Sequence, residues 1–214
     1  MEPVILASAS PRRRELLERL GVDFEVFPSP IDEKSLQLTG SPAEQVQASA
    51  LAKGSAAARL LPGRWCLSAD TVVCIGSEIL GKPGSPADAF RMLSMLQGQC
   101  HQVLTGVCLL RLPVPGNLPD PAASFQLPEG DLEVLILCEE TKVWMAEMGP
   151  AQISAYVATG EPMDKAGAYA IQGYGSSLIK QIHGCYFNVV GLPLFRTAQL
   201  LQSAGIPIWQ GAWQ

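Results

Sequence analysis

The sequence predicts an α/β chain, on three observations. Short apolar runs of strand length alternate with helices whose N-caps can be read directly. Two longer runs, residues 101–112 and 132–145, read as strands that pair with one another. A hydrophobic content of 48% against 16% charged residues describes a folded core. At 214 residues the chain is expected to be a single domain over 1–214, either one large body or two intimate lobes.

In order, residues 3–7 form a buried strand, and the serines that follow interrupt it. Ser10 is an N-cap and Pro11 suits the first helical position, so a helix is expected over 11–20, stopped by Gly21. Strand character returns over 24–27, and residues 29–33 form a turn carrying Asp32 and Glu33. Ser41-Pro42-Ala43-Glu44 is a capping box opening a helix to about residue 61, with Lys53 on it; read alone, Lys53 is an ordinary surface lysine. Residues 65–69 and 72–75 are apolar strands separated by Asp70 and Thr71. An acid between apolar runs must be hydrogen-bonded, bind a metal, or sit where a strand opens into a cleft.

Gly81-Lys82-Pro83 follows a hairpin-like segment, and Ser85 caps a helix to Leu96, ended by Gly98, with Met92, Leu93 and Leu96 as its core stripe. Between the two long strands, residues 113–130 are rich in proline and read as an exposed loop or hairpin tip. A short helix over 150–159 presents Ile153, Tyr156 and Val157 on one side. Residues 160–175 mix glycines, charges and amides without a period, as a structured binding loop does. Strands over 177–182 and 185–190 and a helix over 193–204 complete the body. The tail over 206–214 carries Trp209 and Trp213, which either dock on the body or make a subunit contact.

Composition narrows the function. A net charge of −5 leaves no basic excess for displacing counterions, so neither nucleic acid nor a membrane surface is an expected partner, and an anionic ligand must be met by a local cluster. No apolar run approaches the roughly 20 residues that span a bilayer. Glu2 stands where a signal peptide would carry basic residues. The six cysteines include no C-x-x-C pair and read as reduced core thiols of a cytoplasmic protein. His101 and His183 are the only histidines, which argues against a histidine-rich zinc site.

The local cluster exists. Arg12, Arg13 and Arg14 occupy a first helical turn, where cations oppose the dipole, directly after Ser8 and Ser10. A helix N-terminus with free N–H groups is a phosphate site, although a solvated arginine face is the alternative at this point. With Lys53, Lys82, Glu33 and Asp70, the chain holds what polyphosphate chemistry requires: cations for the charge that develops on the leaving group, and carboxylates of the kind Mg²⁺ prefers.

The phrases Leu6-Ala-Ser-Ala-Ser-Pro-Arg-Arg, Ser68-Ala-Asp-Thr-Val-Val, Gly81-Lys-Pro, Thr105-Gly-Val, the run from Gly160 to Gly173, and Val189-Val-Gly-Leu-Pro-Leu resemble the Maf family of nucleoside triphosphate pyrophosphatases. They follow the family's order from Val4 to about Leu201. The resemblance implies an elongated mixed sheet with flanking helices and two lobes around a cleft, as in inosine triphosphate pyrophosphatases, often as a homodimer. It implies hydrolysis of a nucleoside triphosphate to the monophosphate and pyrophosphate, assisted by Mg²⁺ or Mn²⁺. On this chain Asp70 would be the proton acceptor, Glu33, Lys53 and Lys82 its catalytic companions, and Glu33 and Asp70 the metal ligands. Ser8, Ser10 and Arg13 would meet phosphates, and Arg12, Thr71 and Gln172 would set specificity.

Ala-Asp-Thr together with Ile-Gln-Gly is similar to the branch acting on dTTP and UTP rather than on 7-methyl-GTP. A glutamine amide accepts from N3–H and donates to O4 of thymine or uracil, a pairing cytosine does not offer. The alternative role for Gln172 is to pin its own glycine loop. Alternative functions are the same chemistry on another base and a nucleotide-sensing, division-regulating binding protein. Two departures from the family pattern stand out: segment 113–130 reads as a surface insertion, and Trp144 as a core variation.

Overall fold

The computed structural model describes residues 2–113 and 133–209. Almost all of the proline-rich segment, and Trp213, lie outside the described residues.

The chain runs β1 (Val4–Leu6), α1 (Pro11–Glu18), β2 (Phe24–Val26), α2 (Pro42–Leu60), β3 (Cys66–Ile75), β4 (Glu78–Leu80), α3 (Pro86–Leu96), β5 (Cys100–Arg111), β6 (Glu133–Met145), α4 (Pro150–Ala158), β7 (Ile179–His183), α5 (Tyr186–Val190) and α6 (Leu194–Ser203). The strands form one mixed sheet in the order β2-β1-β3-β5-β6-β7, with β4 pairing on β3. β1 is parallel to both β2 and β3, while β3, β5, β6 and β7 are joined antiparallel.

One edge of β3 is divided. Its other side is paired with β5 from Cys66 to Cys74. On the divided side, β1 pairs only with Cys66 and Leu67, and β4 only from Val73 onward. β1 and β4 therefore part around Ser68–Val72, and the sheet opens a notch at the acid that the sequence had placed between two strands. Asp70 and Thr71 do not interrupt β3; the strand continues through them, because β5 supplies an unbroken partner.

Two apolar cores flank this notch. Leu17, Leu67, Leu109, Leu192 and Leu201 belong to the first, with α1 and α6. Val73, Leu93, Leu96, Val103, Val143 and Ile153 belong to the second, with α3 and α4. The expected stripe Met92, Leu93 and Leu96 is buried there.

α2 lies across the sheet at unusually short range, because the facing residues are small. A Cβ on Gly106 would stand 2.3 Å from the Val46 carbonyl oxygen, and one on Gly54 would stand 2.7 Å from Ser68 Oγ. Ser68 Oγ donates to the Ala50 carbonyl at 2.6 Å, fixing the height of the helix. Its capping box is formed as expected from Ser41 and Glu44.

The segment over 185–190 is helix α5 and not a strand. Left-handed glycines bracket it, Gly184 at φ +131 and Gly191 at φ +123, and buried Asn188 donates to Val103 O and Thr141 Oγ1, both at 3.0 Å. A short apolar run does not distinguish the two conformations. The preceding strand begins at Ile179, two residues later than expected, because Gly173–Leu178 forms a 3₁₀ turn. In the tail, the Trp209 N–H donates to Leu20 O at 2.7 Å, so this part docks on the body. Trp144 is half-buried rather than a core residue. All six cysteines are free, and Cys66, Cys74 and Cys108 are core thiols; Cys100 is exposed, and Cys138 and Cys185 are half-buried.

His101 is buried against Tyr169, its Nε2 2.7 Å from the phenol oxygen, while Nδ1 has no partner among the described residues. Burial lowers its pKa from 6.5 to about 4. The unfolded chain then binds a proton that the folded one refuses, so stability is complete above pH 6.5 and falls as pH drops towards 4. Chemical denaturation at pH 7 and pH 4.5 is expected to show a loss on the order of 3 kcal/mol. Most of that loss should be absent in His101→Gln.

Candidate active site

The notch in β3 opens into a cleft of about 370 Å³. Ser10, Arg12, Arg13, Glu33, Lys53, Asp70, Thr71, Lys82 and Gln172 all line it, although they come from six different places in the chain. Of the residues named from the sequence, only Ser8 is not in the lining; it lies buried beneath.

The centre is an ion triad. Lys53 Nζ lies 2.7 Å from Asp70 Oδ1 and 3.0 Å from Glu33 Oε1. Lys53 is only 5% exposed, which overturns its reading as a surface lysine. The close approach of α2 explains this, because a helix held down by Gly54 and Gly106 sends its long side chain along the sheet to the neighbouring strand. A buried ammonium needs such partners. Burial acts to raise the Glu33 pKa, but the charge and hydrogen bond of Lys53, with Lys82 and Arg13, outweigh it and hold the carboxyl below its ordinary value. Lys53 takes Oδ1 of Asp70, and Oδ2 has no hydrogen-bond partner among the described residues.

Asp70 and Thr71 are successive strand residues and so point to opposite faces. Thr71 meets the other half of the site: its Oγ1 accepts from Arg13 Nη2 at 3.1 Å and lies 2.9 Å from Thr105 Oγ1. Arg13 also donates through Nε to Gly191 O at 2.9 Å and through Nη1 to Ser8 Oγ at 3.3 Å. Three of its five N–H groups are thus engaged in joining the loop after β1, β3 and the turn after α5. Burial lowers its pKa, and Asp70 and Glu33 counter that effect. Ser10 caps α1 by accepting from the Arg13 N–H. Arg14, as expected of a surface residue, pairs with Glu18.

Arg12 reaches across the cleft mouth to Asp164, Nη1 to Oδ2 at 3.0 Å. Asp164 is also bonded by Lys165, another cation in the lining. Burial would raise the Asp164 carboxyl, but Lys165 and Arg12 hold it low. Neither Asp164 nor Lys165 was singled out from the sequence, and the signal available was their charge inside an otherwise glycine-rich loop.

That loop is built from 3₁₀ turns at Glu161–Asp164, Ala166–Ala168 and Gly173–Leu178. Gly167, at φ +68, donates its N–H to Gly81 O at 3.0 Å, which ties the loop to the residue before Lys82. The side chains of Gln172 and Lys82 line the cleft and form no hydrogen bond among the described residues, so both are free to meet a ligand.

The chain matches the family model described as Maf-like protein over residues 3–204. It is 47% identical to the dTTP/UTP pyrophosphatase of Symbiobacterium thermophilum over 211 residues, covering 99% of this chain and 98% of that one. It is 48% identical to the dTTP/UTP pyrophosphatase of Moorella thermoacetica over 209 residues, covering 98% of each. Among solved structures it is similar to the Staphylococcus aureus Ham1 protein, with a TM-score of 0.50 and 14% identity over 95% of this chain and 100% of that one. The last is a likeness of fold, and it agrees with the mixed α/β architecture expected from the sequence.

Proposed function

The chain belongs to the Maf-like protein family, and on that premise we propose that it hydrolyses dTTP and UTP to the nucleoside monophosphate and pyrophosphate. The observation that carries the reading is the Lys53 triad with Asp70 and Glu33, set in one cleft with Lys82, the N-terminus of α1 and the amide of Gln172. The substrate named for the relatives above supports the choice of base.

In this mechanism a water attacks phosphorus, the bond between the α- and β-phosphates breaks, and pyrophosphate leaves. Oδ2 of Asp70 takes the proton of that water, since Oδ1 is held by Lys53. Lys82 and Arg12 stabilise charge on the phosphates, with Arg12 exchanging Asp164 for substrate. In the first turn of α1, which Ser10 caps, the Arg12 N–H adds a donor, since Pro11 has none and the N–H groups of Ser10, Arg13 and Arg14 are bonded to Ser8 Oγ, Ser10 Oγ and Ser10 O. Ser8 and Arg13 hold that turn to Thr71 and Gly191, and the remaining Arg13 N–H groups face phosphate. Gln172 reads the pyrimidine edge.

Glu33 and Asp70 are the residues that would hold a divalent cation. No group of three or more acidic, histidine or cysteine side chains able to hold a metal occurs among the described residues. Two carboxylates beside a phosphate site nevertheless suit Mg²⁺ or Mn²⁺, which bind through one or two protein oxygens and share those of the substrate. Such an ion supplies polarisation of phosphorus and a more acidic water. A homodimer, as the resemblance implies, and a cytoplasmic setting, which the free cysteines suit, complete the reading.

The test is pyrophosphate release from a panel of dTTP, UTP, CTP, ATP, GTP and 7-methyl-GTP with Mg²⁺ or Mn²⁺. Fastest turnover of dTTP and UTP is expected. A preference for another base, or no release from any, would overturn the proposal.

A further inference from the structure

We propose that Glu161, with Tyr156 behind it, is the positioning residue that holds Gln172 in register to discriminate between bases. The inference rests on the reading of Gln172 as the group that meets the pyrimidine.

Gln172 sits in a loop with little regular backbone pairing, so something else must fix it. A single carboxylate does so on its C-terminal side. Glu161 Oε2 accepts from the Tyr174 N–H at 2.9 Å, and Oε1 accepts from the Gly175 N–H at 2.8 Å. Oε1 also accepts from the Tyr156 hydroxyl at 2.8 Å. The same hydroxyl accepts from the Ala170 N–H at 3.1 Å, on the N-terminal side of Gln172. The chain is therefore gripped on both flanks of Gln172 through one carboxylate and one phenol, and the phenol is fixed in the second core.

The intervening glycines are required by this grip. Gly173 has φ +66, and a Cβ on it would lie 2.2 Å from Glu161 Oε2. A Cβ on Gly175 would lie 2.4 Å from Ala170 O and 2.5 Å from the Tyr156 hydroxyl. Burial acts to raise the Glu161 pKa, but the two backbone N–H groups, the Tyr156 hydroxyl and Lys165 hold it below its ordinary value, so it remains an acceptor at neutral pH.

A glutamine at this position cannot do the same work. If its NH₂ replaced Oε2 it would face the Tyr174 N–H; if it replaced Oε1 it would face the Gly175 N–H. Either way one backbone donor loses its acceptor. Tyr156→Phe releases the Ala170 flank while keeping the ring in the core.

The experiment compares kcat/KM for UTP and CTP in wild type, Glu161→Gln, Tyr156→Phe, Gln172→Ala and the double variant Glu161→Gln/Gln172→Ala. Glu161→Gln is expected to lower the UTP:CTP ratio by about tenfold, mainly through KM for UTP, with kcat for UTP within about threefold of wild type. Tyr156→Phe should move the ratio in the same direction by a smaller factor. In the Gln172→Ala background, Glu161→Gln should change the ratio by less than about twofold, because it acts through the missing amide. A wild-type ratio in Glu161→Gln, or its full effect persisting without Gln172, would overturn the proposal. Should Glu161→Gln fail to fold, Tyr156→Phe decides in its place, and a wild-type ratio there overturns it equally. If wild type itself has no preference for UTP over CTP, the reading of Gln172 fails and takes this inference with it. If wild type prefers UTP and the variants do too, this inference alone fails.

Discussion

Asp70→Asn is expected to lower kcat for dTTP and UTP by about 10³-fold, the scale of a lost general base. The asparagine oxygen still accepts from Lys53, so the triad keeps its geometry and KM should stay within about threefold. Pyrophosphate release under saturating substrate measures the first, and a thermal melt close to wild type establishes that the fold is unaffected. Turnover within about tenfold of wild type would remove Asp70 from the proton-accepting role.

Lys53→Met should lower kcat/KM by about 10²-fold to 10³-fold, with a different signature. Asp70 and Glu33 would then face one another without their shared cation, and KM should rise together with the fall in kcat. Stability should fall as well, because losing the ammonium leaves the largely buried Asp70 carboxylate beside Glu33 with no compensating charge. The Glu33 carboxyl, now held low chiefly by Lys53, should titrate at a higher pH in the variant. Activity lost at a temperature well below the variant's own melting point separates a chemical role from a structural one; full activity would exclude the chemical role.

The caps, core stripes and helix boundaries were legible because they are local. Ser10 with Pro11, the Ser41–Glu44 box and the α3 stripe depend on a few neighbouring residues, and each formed as read. What depended on distant partners was not legible. Asp70 looked like a break because its burial partner is supplied by α2 and its strand continuity by β5. Lys53 looked exposed because the closeness of α2 depends on Gly106, a residue on another strand. The run over 185–190 has strand composition, but glycines of positive φ at both ends and a buried asparagine turn it into a helix. Ser8 and Ser10 were read together, yet one supports Arg13 from below and the other faces the cleft. The roles of Asp164, Lys165 and Glu161 required the fold, since their partners are α1, each other, and a turn that follows Gln172.

The divided edge of β3 bears on how the protein can move. The two cores are joined by β3 and β5, strands that run without interruption past the notch and remain hydrogen-bonded throughout. Such a connection has no linker residue able to absorb a large change of φ and ψ, so the lobes cannot swing apart without breaking the ladder. The soft coordinate left to them is twist. A change in the coiling of β3 and β5 would alter the width of the notch and the distance between Arg12 and Asp164 together, so a substitution deep in one lobe is expected to act on the ion pair at the cleft mouth through backbone torsion alone.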